Sequence, residues 1–207
     1  MKLITIFLFA FFTLLGSVYA GPRHNLVTKS VSLVGSRQDD QLKQVHKMLA
    51  QADGLAGHFK QVRKIKLLAA PLVSSGRFVL SKAQGLKWQQ TSPFKSNLIV
   101  TGEKIEQQLE NSPKLVITKE QQPVVFSFTN IFLSVFNGDT KAISEYFTIT
   151  FTGNTAHWNI ILKPIAAPMN KAIESIAMSG GKYINCITIN EVKNNQIIIQ
   201  LFNVKEL

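Results

Sequence analysis

Few residues in this chain are of the kinds that do covalent chemistry, and their spacing argues against it. The histidines are His24, His46, His58 and His157, scattered without ligand spacing. His46 and His58 could meet in space, but two histidines on a basic surface read as solvated side chains. There is no His-Glu-x-x-His zinc pair, phosphate loop, dinucleotide fingerprint or Gly-x-Ser-x-Gly elbow. Ser74-Ser75 has no base nearby in the sequence. Only 12 acids occur in 207 residues, and the one adjacent pair, Asp39-Asp40, sits where a helix would begin and reads as its cap. Cys186 is the only cysteine, so no internal disulfide can form. With Ile184, Ile187 and Ile189 around it, it reads as a small packed apolar group. The expectation is a protein that is not an enzyme and that has no metal and no cofactor.

What remains is apolar surface capable of non-covalent binding. Phe59, Phe78, Leu80, Leu86, Trp88, Leu98 and Val100 fall on strand faces that could turn inward. So do Phe147, Phe151, Trp158, Ile160 and Leu162. Phe126, Phe128, Phe132 and Phe136 fall on one further apolar segment. Any one of these alone is ordinary core. Together, in a chain with 14 Phe, they make a broad and adaptable lining, and concave apolar sites with few polar groups bind greasy ligands.

The elements that must position these side chains are mostly strands. Residues 57–94 alternate with period two and are punctuated by Gly and Pro, which predicts an antiparallel meander. Pro71 and Ser74-Ser75-Gly76 read as its first break, Ala83-Gln84-Gly85 as its second. Further hairpins are predicted around Gly102-Glu103, Asn111-Ser112-Pro113, Gly153-Asn154, Gly180-Gly181 and Asn194-Asn195. Ahead of the meander, Leu42, Val45, Leu49 and Ala50 form the single apolar stripe of a surface helix ending at Gly54 or Gly57. Residues 123–137 carry Ser127, Asn130, Ser134 and Asn137 as a narrow polar stripe at helical spacing, which favours a mostly buried helix over a strand. A short helix follows to about Glu145. Met169–Ser175 is either a short helix or an irregular link. The sum is about ten strands and two longer helical segments, mainly β with α. That predicts an incomplete antiparallel barrel with helices as its lid.

Bulk properties set the context. Lys2 followed by the apolar run Leu3–Leu15 and the small residues ending at Ala20 reads as a secretion signal over residues 1–20, too short to span a bilayer comfortably. Residues 21–37 read as a flexible leader and 38–207 as a single domain. The formal charge of +11 favours anionic partners. For an exported chain those are phospholipid head groups and acidic proteins, with no nucleic acid.

The order of several of these features resembles one family. Phe59-x-Gln61 is followed by basic residues, then by Pro71-Leu72-x-x-Ser75-Gly76-x-Phe78, Gly85-Leu86-x-Trp88 and Pro93-Phe94. Tyr146-Phe147 through Gly153, His157-Trp158, Leu162-x-Pro164 and Ile173–Gly181 continue the pattern. Over residues 42–203 it resembles the periplasmic lipoprotein-carrier (LolA-like) family. The resemblance implies a monomer whose cavity shelters the acyl chains of a lipoprotein. It also implies an inner-membrane ABC-type releasing complex, an outer-membrane receptor and transient contact with a membrane surface. At roughly 0.8 kcal/mol per methylene, a sixteen-carbon chain resists entry into water by about 12 kcal/mol, which is why such a carrier is needed. Members of this family commonly place an Arg that latches the lid where this chain has Lys82, so Lys82 is the expected latch. Lys keeps the charge but loses the forked geometry, and the chain reads as a divergent member. The alternative is a non-transporting lipid- or protein-binding envelope module of the same fold.

Overall fold

The computed structural model describes residues 36–121, 126, 133–134, 140–167 and 169–207. Helix α1 spans Ser36–Ala50. The first six strands are β1 (Gly54–Lys64), β2 (Leu72–Ser81), β3 (Gly85–Ser92), β4 (Ser96–Val100), β5 (Lys104–Leu109) and β6 (Leu115–Thr118). After a short helix α2 (Thr140–Tyr146) come β7 (Phe147–Gly153), β8 (Trp158–Pro164), β9 (Ile173–Gly180), β10 (Ile184–Glu191) and β11 (Gln196–Glu206).

All eleven strands form one antiparallel sheet of order β6-β5-β4-β3-β2-β1-β11-β10-β9-β8-β7. Two meanders, β1–β6 and β7–β11, each follow from local alternation and turn residues. They are joined through the pairing of β1 with β11, which sets Lys64 opposite Gln196, Phe59 opposite Leu201 and Leu55 opposite Glu206. β6 and β7 remain as the two edges, so the sheet is open and curved rather than a closed barrel, as expected.

Several boundaries differ from the sequence reading. α1 starts at Ser36, so it takes up the last residues of the expected leader and places Asp39-Asp40 inside its first turns. Asp40 there still complements the helix dipole. The helix ends at Ala50, and both Gly54 and Gly57 belong to β1. Ser74-Ser75-Gly76 is not a break either: it lies within β2, and the turn falls at 65–71. Gly76 is required by contact, because a Cβ there would drive into the carbonyl oxygen of Gln89 on β3, at a shift in the β2–β3 register. Met169–Lys171 forms one 3₁₀ turn, and Ile173 already begins β9.

The concave face carries two apolar clusters. Under α1, Val45 and Leu49 pack with Phe59, Ile143, Phe147, Phe151, Trp158, Ile160 and Leu162. On the other side, Leu55, Phe78, Leu80, Leu86, Val100 and Ile105 pack with Phe126. Trp88 and Leu201 touch both clusters and mark the seam. Of the Phe-rich segment, Phe126, Leu133 and Ser134 are helical, with Phe126 buried and Leu133 half-buried. Phe128, Phe132 and Phe136 lie outside the described residues, as does the expected secretion signal. Among the described residues no helix is long and apolar enough to cross a membrane.

Candidate ligand cavity

The site is built on neighbouring strands whose alternation aims large side chains inward. Phe78 lies opposite Trp88 and Leu80 opposite Leu86; Trp88 and Leu86 in turn face Leu98 and Val100 on β4. Trp88 stacks on Phe59 at a ring separation of 3.7 Å and lies 6.2 Å from Phe78.

Among the described residues, two voids with mainly apolar walls adjoin these side chains. The larger, about 50 Å³, lies beneath Leu49 of α1 and Leu133 of the covering segment, with Leu55, Phe78, Leu80 and Leu201 on its walls. It opens beside Asp53 and Lys82. The smaller, about 30 Å³, is lined by Leu86, Trp88, Ile187 and Ile199, and again by Phe78, Leu80 and Leu201. The three shared side chains make the two voids neighbours across one thin wall. Pockets that hold drug-sized ligands run to about 300–1,000 Å³. The two voids together fall well short of that volume.

The expected lining residues divide accordingly. Phe78, Leu80, Leu86 and Trp88 bound the voids, while Leu98 and Val100 back them in the same cluster. Phe59, Phe147, Phe151, Trp158 and Ile160 instead fill the packed core under α1, where Phe59 has no exposure at all. Trp158 is pinned there by its Nε1–H, which donates to the Gly181 carbonyl at 2.7 Å. Leu201, Ile187 and Ile199 are wall residues that sequence reasoning passed over. Their alternation in β10 and β11 was visible, but the β1–β11 pairing that brings them to the site was not.

At the mouth, the Lys82 ammonium donates to the Ala50 carbonyl, the last of α1, at 2.6 Å. It also pairs with Asp53 at 3.2 Å. A cation is favoured there because the carbonyls at a helix C-terminus are unsatisfied and partially negative. Lys82 thereby ties β2 to the turn of α1 that supplies Leu49. At the opposite end of the sheet, Arg63 and Glu191 form an ion pair at 3.2 Å that is almost fully buried. Burial lowers the Arg63 pKa, and the Glu191 charge opposes that shift. Asn195 Nδ2 donates to the other Glu191 oxygen at 2.9 Å. The two histidines that could have met do not. His46 is buried on α1, its Nδ1 without a hydrogen-bond partner among the described residues, whereas His58 is on the convex face, stacked on Phe202.

A family model described as outer membrane lipoprotein carrier protein LolA-like matches residues 34–201. The chain belongs to this family. Among solved structures it is similar to a LolA superfamily protein from Nitrosomonas europaea, with 8% identity, 82% of this chain and 93% of that one covered, and a TM-score of 0.45. It is also similar to a putative outer membrane lipoprotein-sorting protein domain from Vibrio parahaemolyticus, with 9% identity, the same coverages and a TM-score of 0.43. No curated protein matches the chain. Within the LolA-like family, binding and carrying of lipoproteins is the associated role.

Proposed function

We propose that this protein is a periplasmic carrier that shelters acyl chains of lipoproteins or related lipidated molecules between the β2–β3 and β10–β11 faces of its sheet. The observation that carries the reading is the pair of adjoining apolar voids under a partial cover, with Phe78, Leu80 and Leu201 common to both. A filled core would leave the cover with nothing to open onto. Rotamer changes of the Phe78, Leu80 and Leu201 side chains, which form the shared wall, would supply ligand volume without unfolding strands. The Asp53–Lys82 mouth leaves the polar head of the ligand in water while the chain is buried. Transfer to an outer-membrane receptor then needs only that the receptor offer a better-fitting apolar site.

Native mass spectrometry of the protein recovered from the periplasm should show added masses of acylated species. In vitro, the protein should take up a fluorescent fatty acid, and Leu80→Arg or Trp88→Glu should weaken that uptake by about tenfold while leaving the circular-dichroism spectrum intact. Uptake undiminished in both folded variants would exclude these voids as the site.

A further inference from the structure

The two ends of the sheet differ in a way that acyl-chain binding does not require. Antiparallel connectivity gathers the β1–β2 loop (65–71), the β3–β4 loop (93–95) and the β10–β11 loop (192–195) at one end. The first and last of these are side by side. The Lys66 amide donates to Asn195 Oδ1 at 3.0 Å, and the Lys64 ammonium donates to Gln196 Oε1 at 3.2 Å. A hairpin between β1 and β2 needs only two to five residues. This one uses seven and places Leu67 at 92% exposure and Leu68 at 48%. Val192 on the adjoining loop is also exposed. Lys64, Lys66, Lys95 and Lys193 surround these tips, and residues 64–71, 92–95 and 192–195 contain no acid. Glu191, which precedes the last loop, is buried against Arg63. Outside these loops the same end carries Glu110, whose amide donates to the Lys95 carbonyl, and Glu174, exposed near the start of β9.

The other end is different. Lys82 is paired with Asp53 and Lys182 with Glu206. Among the described residues its one large exposed apolar side chain is Leu207. The other end thus offers a single exposed leucine, whereas Leu67, Leu68 and Val192 stand together among lysines on acid-free loops at this one.

We propose that this end docks on an anionic phospholipid bilayer, with Leu67 and Leu68 entering the interface and the lysines meeting lipid phosphates. The tips are convex protrusions from separate hairpins. A fluid interface accepts such protrusions without matching their shape, whereas a protein partner would have to supply a pocket for each. Juxtamembrane lysines gain about 1 kcal/mol apiece near an anionic surface, and a few apolar side chains add to this only where charge and insertion act together. The larger void opens at the Lys82 end, so a docked molecule holds that mouth away from the bilayer. Docking and acyl binding are thus separable, and the proposal does not rest on the carrier reading.

The test uses protein recovered from the periplasm and co-flotation with vesicles of phosphatidylethanolamine and phosphatidylglycerol, compared with neutral phosphatidylcholine vesicles. Wild type should partition to the anionic vesicles and lose most of that binding in high salt. Leu67→Ser with Leu68→Ser, and separately Lys66→Glu with Lys193→Glu, should each weaken binding by roughly tenfold or more. Both should keep the wild-type melting temperature and fatty-acid uptake. Equal partitioning to neutral and anionic vesicles would overturn the proposal, as would wild-type binding by both double variants. Binding only to native membranes, lost after trypsin treatment of those membranes, would assign the surface to a protein partner instead. Loss of fatty-acid uptake by Leu80→Arg with vesicle binding retained is expected. Absence of uptake in wild type alongside intact vesicle binding would remove the carrier reading and leave the docking proposal standing.

Discussion

Replacing Lys82 with Met removes two contacts of unequal value. The Asp53 carboxylate is 98% exposed, so their ion pair contributes at most about 0.5 kcal/mol. The bond to the Ala50 carbonyl, at 2.6 Å on the unsatisfied end of α1, is worth about 1 kcal/mol. Together they favour the docked last turn of α1, and with it the Leu49 wall of the void, by about 1–1.5 kcal/mol. Since 1.4 kcal/mol is tenfold in an equilibrium, Lys82→Met should raise the population of the opened form by about five- to tenfold. Stopped-flow fluorescence with a fatty-acid probe should show a matching rise in the rate of uptake. Asp53→Asn should change that rate by less than twofold, because it leaves the Ala50 bond in place. Lys82→Arg should stay close to wild type, since the guanidinium can reach both acceptors. The reasoning fails if Lys82→Met lowers stability in urea by about 1 kcal/mol yet leaves the uptake rate unchanged. Lys82 would then anchor a helix end without gating anything.

Two further outcomes follow from buried polar groups. Glu191→Gln leaves the Arg63 guanidinium buried beside a neutral amide and should cost about 3–5 kcal/mol in urea unfolding; the double variant Arg63→Met, Glu191→Leu should recover most of that loss, and a single-variant cost below 1 kcal/mol would show that the pair is solvated. Burial lowers the pKa of His46 from its ordinary 6.5, so below pH 6.5 the unfolded chain takes up the proton while the folded one resists it. Its contribution to stability is therefore complete above 6.5 and declines as pH falls toward the lowered folded value. His46→Leu should flatten that part of the stability–pH curve, and parallel curves for the two proteins would refute the assignment.

Local pattern determined much of this molecule. The alternation of Phe78 and Leu80 with Val79 and Ser81, and of Leu86 and Trp88 with Lys87 and Gln89, dictated strands and their inward faces. Period-two burial needs no knowledge of the partner strand. The stripe Leu42, Val45, Leu49 dictated α1 in the same way, and the order of weak motifs from Phe59 to Pro164 was enough to point to the family. Where a helix began or a strand broke was less legible: Ser74-Ser75-Gly76 has turn chemistry, but close approach of Gln89 puts Gly76 inside a strand. Tertiary structure alone decided the site. Pairing of β1 with β11 joins residues more than 130 positions apart, and that one ladder brings Leu201 and Ile199 up to Phe78 and Leu80. It also decided which aromatics are walls and which are filler. Phe59 and Phe78 look alike in the sequence, yet α1 covers one and leaves a void beside the other. The same folding set Arg63 against Glu191, Lys82 against Ala50, and the basic loop tips together at one end. Each of these contacts depends on chain segments whose meeting is governed by the whole sheet, and no local periodicity encodes it.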